Sequence, residues 1–167
     1  MTEQHAQSPQ TQSDRTPEPP GTPVFVDVFA RTLPDGSVDF THEWRWKENG
    51  PIEGSGTIKI PSRKPKESGT PMHFHLRDET EPKRGLSFVE NRGAAMWVLR
   101  NGCPPEADRC NDPEIPADRM SVTPAVLTAF DENNEECTLH YRLWFKDKDG
   151  NLETYDPDIT NGGKTMF

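Results

Sequence analysis

The sequence predicts an all-β fold: an antiparallel β-sandwich of about eight or nine strands behind a disordered N-terminal tail. Three observations carry that expectation. Apolar residues recur at every second position in short runs, turn signals rich in Gly, Pro and Asp separate the runs, and no long segment holds a helical period.

Residues 1–22 contain no Val, Ile, Leu, Phe, Tyr or Trp and end in Pro17-Glu18-Pro19-Pro20-Gly21. Such a stretch cannot bury enough apolar surface to offset its ordering entropy, so it is expected to be a disordered tail or linker. Residues 23–160 then form the sandwich, and 161–167 a short C-terminal tail, with the last dozen residues polar enough to fray. A domain of this size buries roughly 70% of its unfolded surface and needs neither disulfide nor metal for its core.

Within the domain, Val24–Arg31 is an apolar run, and Leu33-Pro34-Asp35-Gly36-Ser37 is a turn. Val38–Trp46 alternates, with Val38, Phe40, His42, Trp44 and Trp46 on one face; the two runs make a hairpin. Further strands are expected at Thr57–Ile60, Met72–Arg77, Leu86–Phe88 and Ala95–Leu99, and at Val122–Phe130 with an interruption at Pro124. Residues 101–118 carry four prolines and two cysteines and read as a long irregular loop, a class of segment that often serves function. Cys137–Lys146 has the strongest strand pattern. Cys137, Leu139, Tyr141, Leu143 and Phe145 share one face, and His140, Arg142 and Trp144 the other. Asp149-Gly150 turns this strand back into Leu152–Tyr155.

The formal charge of −9 is uneven: residues 1–100 hold 14 acids and 13 bases, residues 101–167 hold 14 acids and 6 bases. An acidic surface repels phosphate backbones and anionic lipid, so neither nucleic acid nor a membrane surface is an expected partner. The one basic run, Lys59, Arg63, Lys64 and Lys66, lacks glycine-rich or aromatic company and reads as a solvated loop. With no apolar stretch of membrane-spanning length and no signal-peptide pattern at Met1, the expected compartment is the cytoplasm. Cys103 and Cys110 are spaced for a possible local disulfide, whereas the odd total of three cysteines favours reduced thiols.

Four constellations bear on chemistry. His73 and His75, two apart on a strand, project to one face as chelation requires, with Glu79 following. The string from Gly69 through His73-Phe74-His75 to Glu79 resembles the first metal motif of cupins, in which a His-x-His pair and a later glutamate hold iron, manganese or another divalent ion. The likeness spans residues 69–85, departs in its glycine spacing, and has no second motif beside it; it implies a divalent-metal protein or enzyme built on His73, His75 and Glu79. The alternative reading buries Phe74 and Leu76 and leaves both histidines on the solvent side. A zinc set joining these histidines to Cys103 and Cys110 has suitable ligand types but wide spacing. Asp147-Lys148-Asp149-Gly150-Asn151 has the look of a calcium loop with its first ligand missing, and reads as a hairpin turn.

Trp44 and Trp46 could form a stacking platform for a sugar or peptide, but share their face with core residues. Trp144 lies opposite its strand's apolar face beside Arg142 and His140, and that trio is the expected binding surface. No nucleophile elbow, phosphate loop or dinucleotide fingerprint occurs. The sequence therefore points to a non-enzymatic binding or protein-interaction module, with its protein or small-molecule ligand unspecified. The alternatives are the metal reading and a structural subunit of an oligomer; no cofactor is expected beyond that divalent ion.

Overall fold

The computed structural model describes residues 20–100 and 112–165. They form eleven strands in chain order: β1 (Val24–Thr32), β2 (Val38–Arg45), β3 (Ile58–Ile60), β4 (Thr70–Asp78), β5 (Ser87–Phe88), β6 (Met96–Leu99), β7 (Ser121–Val122), β8 (Val126–Asp131), β9 (Glu136–Lys146), β10 (Leu152–Tyr155) and β11 (Asp158–Gly162). One helical turn, α1 (Arg92–Ala95), and one 3-10 turn at Ala117–Arg119 complete the described structure.

Two mixed sheets result. The first has the order β2-β1-β4-β8-β7. In the second, β9 pairs with β10 and β11 along one side and with β5 and β6 along the other, and β3 lies outside β11. The antiparallel expectation needs correction, because β1 runs parallel to β4 and β3 parallel to β11. Alternation tells which face a side chain takes and is blind to strand direction, so the sequence pattern could not distinguish the two.

Both tight hairpins share one construction. Leu33 N–H reaches Ser37 C=O and Gly36 N–H returns to Leu33 C=O; Asp147, Asn151 and Gly150 repeat these bonds. Gly36 (φ 84°) and Gly150 (φ 83°) take the left-handed position that closes a three-residue hairpin loop. Asp147 is engaged by the turn itself, accepting from the Asp149 and Asn151 backbone N–H groups and from Asn151 Nδ2, so it acts as the cap of a hairpin.

β10 and β11 form one continuous partner to β9. Tyr155 faces Leu143 and Asp158 faces His140, so neither strand gains a residue across Asp156-Pro157. The break falls at Pro157, which has no N–H to give the ladder. The expectation of fraying at the C-terminal end is thereby corrected: β11 sits between β9 and β3, with Ile159 and Asn161 fully buried. At the other end Gly21, placed in the expected tail, already donates to Gly69 C=O at 2.6 Å. The expected strand through Pro124 is instead two, β7 and β8, which pair antiparallel around Thr123-Pro124-Ala125.

The sheets pack face to face over one core. Val24, Val26 and Val28 of β1, Met72, Phe74 and Leu76 of β4, and Leu139 to Phe145 of β9 supply its centre. Aromatic rings interlock between the layers: Phe40 stacks on Phe145 at 4.9 Å and Phe74 meets Tyr141 at 5.5 Å. Each such side chain contributes roughly 1.5–3 kcal/mol on burial, more than the ~0–1 kcal/mol of an exposed ion pair, so apolar packing holds the layers together. No described helix is long and apolar enough to cross a membrane.

Candidate functional site

His73 and His75 occupy the outer face of β4, because Met72, Phe74 and Leu76 claim the inner face. Phe25 of β1 covers both, with ring centroids 4.8 Å from His73 and 6.3 Å from His75. Burial, and then the neighbouring His75, press the His73 pKa below its ordinary value. Glu79 turns instead to Arg31, whose Nε donates to Oε2 at 2.8 Å. Asp27, beside His75 in a shallow recess of about 220 Å³, is held by Arg45 and Arg77. Among the described residues no group of three or more His, Cys, Asp or Glu is arranged to hold a metal ion. Cys103 and Cys110 lie outside the described residues. Cys137 is half-buried, and burial raises its thiol pKa, which disfavours the reactive thiolate.

On the outer face of the second sheet, His140, Arg142 and Trp144 stand in a row along β9, as their alternation requires. His140 Nδ1 pairs with Asp158, and Arg142 makes a two-pronged pair with Asp156. Asp156 and Asp158 flank Pro157 on the partner strand, so the Asp-Pro-Asp sequence places both acids opposite the two bases. Lys146 extends the ladder to Glu90 at 2.9 Å. The sequence reading missed the fourth member, Trp97 of β6, whose ring lies 4.9 Å from that of Trp144. Met96 and Val98 point inward, so the same alternation that placed Trp144 on the outer face carried the signal for Trp97, and both indoles are half-buried there.

The third region is the edge where β2 and β3 leave the two sheets. Trp44 is buried, and Trp46 stands half-buried against it in an edge-to-face contact at 6.0 Å. A cleft of about 400 Å³ opens on Trp46, Pro61, Arg63, Lys64 and Lys47. A second, of about 370 Å³, opens on Trp44, Trp46, Pro61, Lys59 and Asn161, so the two meet at Trp46 and Pro61. Asn133 fixes the floor: its Nδ2 donates to Pro61 C=O and its Oδ1 accepts from Gly163 N–H. Arg63 is buried, with its guanidinium donating to Glu67 C=O and Asn134 Oδ1. The solvated-loop expectation therefore needs correction for Arg63, and Lys59 and Lys64 now face clefts.

Beneath this edge lies a buried polar group. Asp131 Oδ1 accepts from Asn133 N–H at 2.8 Å and from Asn161 Nδ2 at 2.9 Å, joining β8 of one sheet to β11 of the other. Burial, with Glu114 and Glu132 nearby, outweighs these bonds and pushes the Asp131 pKa up to about 7. His42 is also buried. Its Nε2 faces only the Gly56 carbonyl, so that nitrogen carries the proton and Nδ1 accepts from the Tyr155 hydroxyl, both at 2.6 Å.

No protein-family model matches the chain, and no curated protein matches it in sequence.

Proposed function

We propose that this protein is a non-catalytic interaction module, a β-sandwich that docks a protein partner on the outer face of β9 and β6. The observation that carries the reading is the Trp97–Trp144 pair, two large rings side by side on a face turned away from the core. Trp and Arg supply most of the binding energy at protein interfaces, typically from a centre ringed by polar groups. Here Arg142 lies 5.9 Å from the Trp144 ring, and the His140–Asp158, Arg142–Asp156 and Lys146–Glu90 pairs surround the indoles. An open sheet face offers the extended area that a protein partner needs.

The test is a photocrosslinking residue placed at Thr138 or Thr154, both exposed on this face, in cells that make the full chain. Thr41, exposed on the outer face of the other sheet, is the control position. A defined adduct is expected from the first two positions and is lost in Trp97→Ala/Trp144→Ala with the melting curve retained. Adducts identical to those from Thr41, or adducts that persist in the double variant, refute the reading.

A further inference from the structure

We propose that the paired clefts at Trp46 form a second binding site, for a small ring-bearing anion: a carboxylate or phosphate on a flat or sugar-like body. This site is separate from the docking face, and its case does not depend on that face.

Charge is the first argument. The chain carries −9 overall, yet among the described residues Lys47, Lys59 and Lys64 line these clefts beside two acids, Glu67 and Glu136. A positive recess in an acidic body concentrates anions where the rest of the surface repels them. The ammonium groups of Lys47, Lys59 and Lys64 make no ion pair or hydrogen bond among the described residues. The arginines of the two outer faces are, by contrast, held by carboxylates: Arg45 and Arg77 by Asp27, and Arg142 by Asp156. The three lysine ammonium groups of this recess, without a carboxylate partner among the described residues, are available to a ligand.

Shape is the second argument. Each cleft falls within the volume range of small-molecule sites, roughly 300–1,000 Å³. The half-buried Trp46 indole forms the wall common to both, braced by Trp44, and offers a rigid flat surface on which a ring can stack. Ser62, Thr70 and Thr22 add hydroxyl groups to the larger cleft. The parts thus divide between an aromatic platform for the body of the ligand and mobile point charges for its anionic group. Lysine takes carboxylate and phosphate alike, so the anion class is shared between the two.

The experiment titrates the full chain with glucuronate, glucose 6-phosphate, glucose and inorganic phosphate, reading tryptophan fluorescence and the melting temperature. Expected is saturable binding of one or both ring anions, weakened by salt, with glucose and phosphate at least about tenfold weaker. Lys47→Gln and Lys64→Gln each weaken binding about tenfold, the loss of one charge-assisted contact. Both lysines are exposed, so these variants keep the fold; Trp46→Phe tests the platform while retaining an aromatic ring. Preference for glucuronate over glucose 6-phosphate, or the reverse, assigns the anion. The proposal is overturned if glucose binds as tightly as its charged counterparts, if neither anion saturates, or if the two lysine variants bind as the parent does.

Discussion

Replacing Asp131 by Asn isolates one buried proton. Among the described residues Asp131 Oδ2 and Asn161 Oδ1 are both buried without a hydrogen-bond donor, while the neighbouring Asp131 Oδ1 and Asn161 Nδ2 are bonded to each other at 2.9 Å. Burial of an acid atom with no donor disfavours its charge, which fits the rise of the Asp131 pKa from 3.8 to about 7. Below pH 4 both the folded and the unfolded chain are protonated here, and the group contributes nothing to the pH dependence. Between about 4 and 7 the unfolded chain gives up a proton that the folded chain keeps, so stability falls as pH rises, and above about 7 the loss is complete. A shift of some three units corresponds to about 4 kcal/mol at most, each unit being worth about 1.4 kcal/mol. Asp131→Asn places an N–H₂ where Oδ2 stands and cannot ionise. Its advantage over the parent, measured by urea unfolding, is therefore expected to be small at pH 4.5 and to grow by a few kcal/mol by pH 8.5. The depressed His42 pKa acts in the opposite direction, but equally in both proteins, and cancels in the difference. A difference independent of pH, or one that shrinks as pH rises, refutes the reasoning.

Tyr141 and Tyr155 give opposite expectations from the same truncation. The Tyr141 hydroxyl is fully buried and has no hydrogen-bond partner among the described residues, so Tyr141→Phe is expected to leave stability unchanged or raise it by about 1 kcal/mol; a loss of that size in urea unfolding contradicts this. Tyr155→Phe leaves His42 Nδ1 buried without its donor and is expected to cost about 1–3 kcal/mol by the same measurement. His42 itself, its pKa lowered by burial, refuses in the folded state a proton that the unfolded chain takes below pH 6.5. Stability is accordingly lost as pH falls through that value, and His42→Gln is expected to flatten this acid limb of a pH–stability curve.

What the sequence revealed depended on how each element signals itself. β9 was legible because inward-facing apolar residues recur at every second position from Cys137 to Phe145. β11 was not, since Asp158-Ile159-Thr160-Asn161-Gly162 has one apolar residue, and its second buried side chain is an asparagine made tolerable by Asp131. The trio on β9 was visible for the reason that β9 was. Its companion Trp97 was hidden in a strand of four residues, where two alternations are too few to stand out. The cleft residues come from the ends of β2 and β3, the start of β4 and the turn after β8, and no local pattern links segments so far apart. Glu79 shows the converse. Its spacing from the histidines fitted a motif, but an arginine from another strand claimed it.

The parallel pairing of β3 with β11 has a consequence for how the chain can be made and cut. Ile58 waits for Ile159, a partner about a hundred residues further along. A ribosome therefore releases the entire first sheet before the second can acquire its outer edge, and long-range closures of this kind slow folding. The same tie means that removing the last ten residues, from Asp158 onward, would not trim a loose end. It would unfasten a strand near the beginning and expose the flank of β9 to whatever else can pair with it.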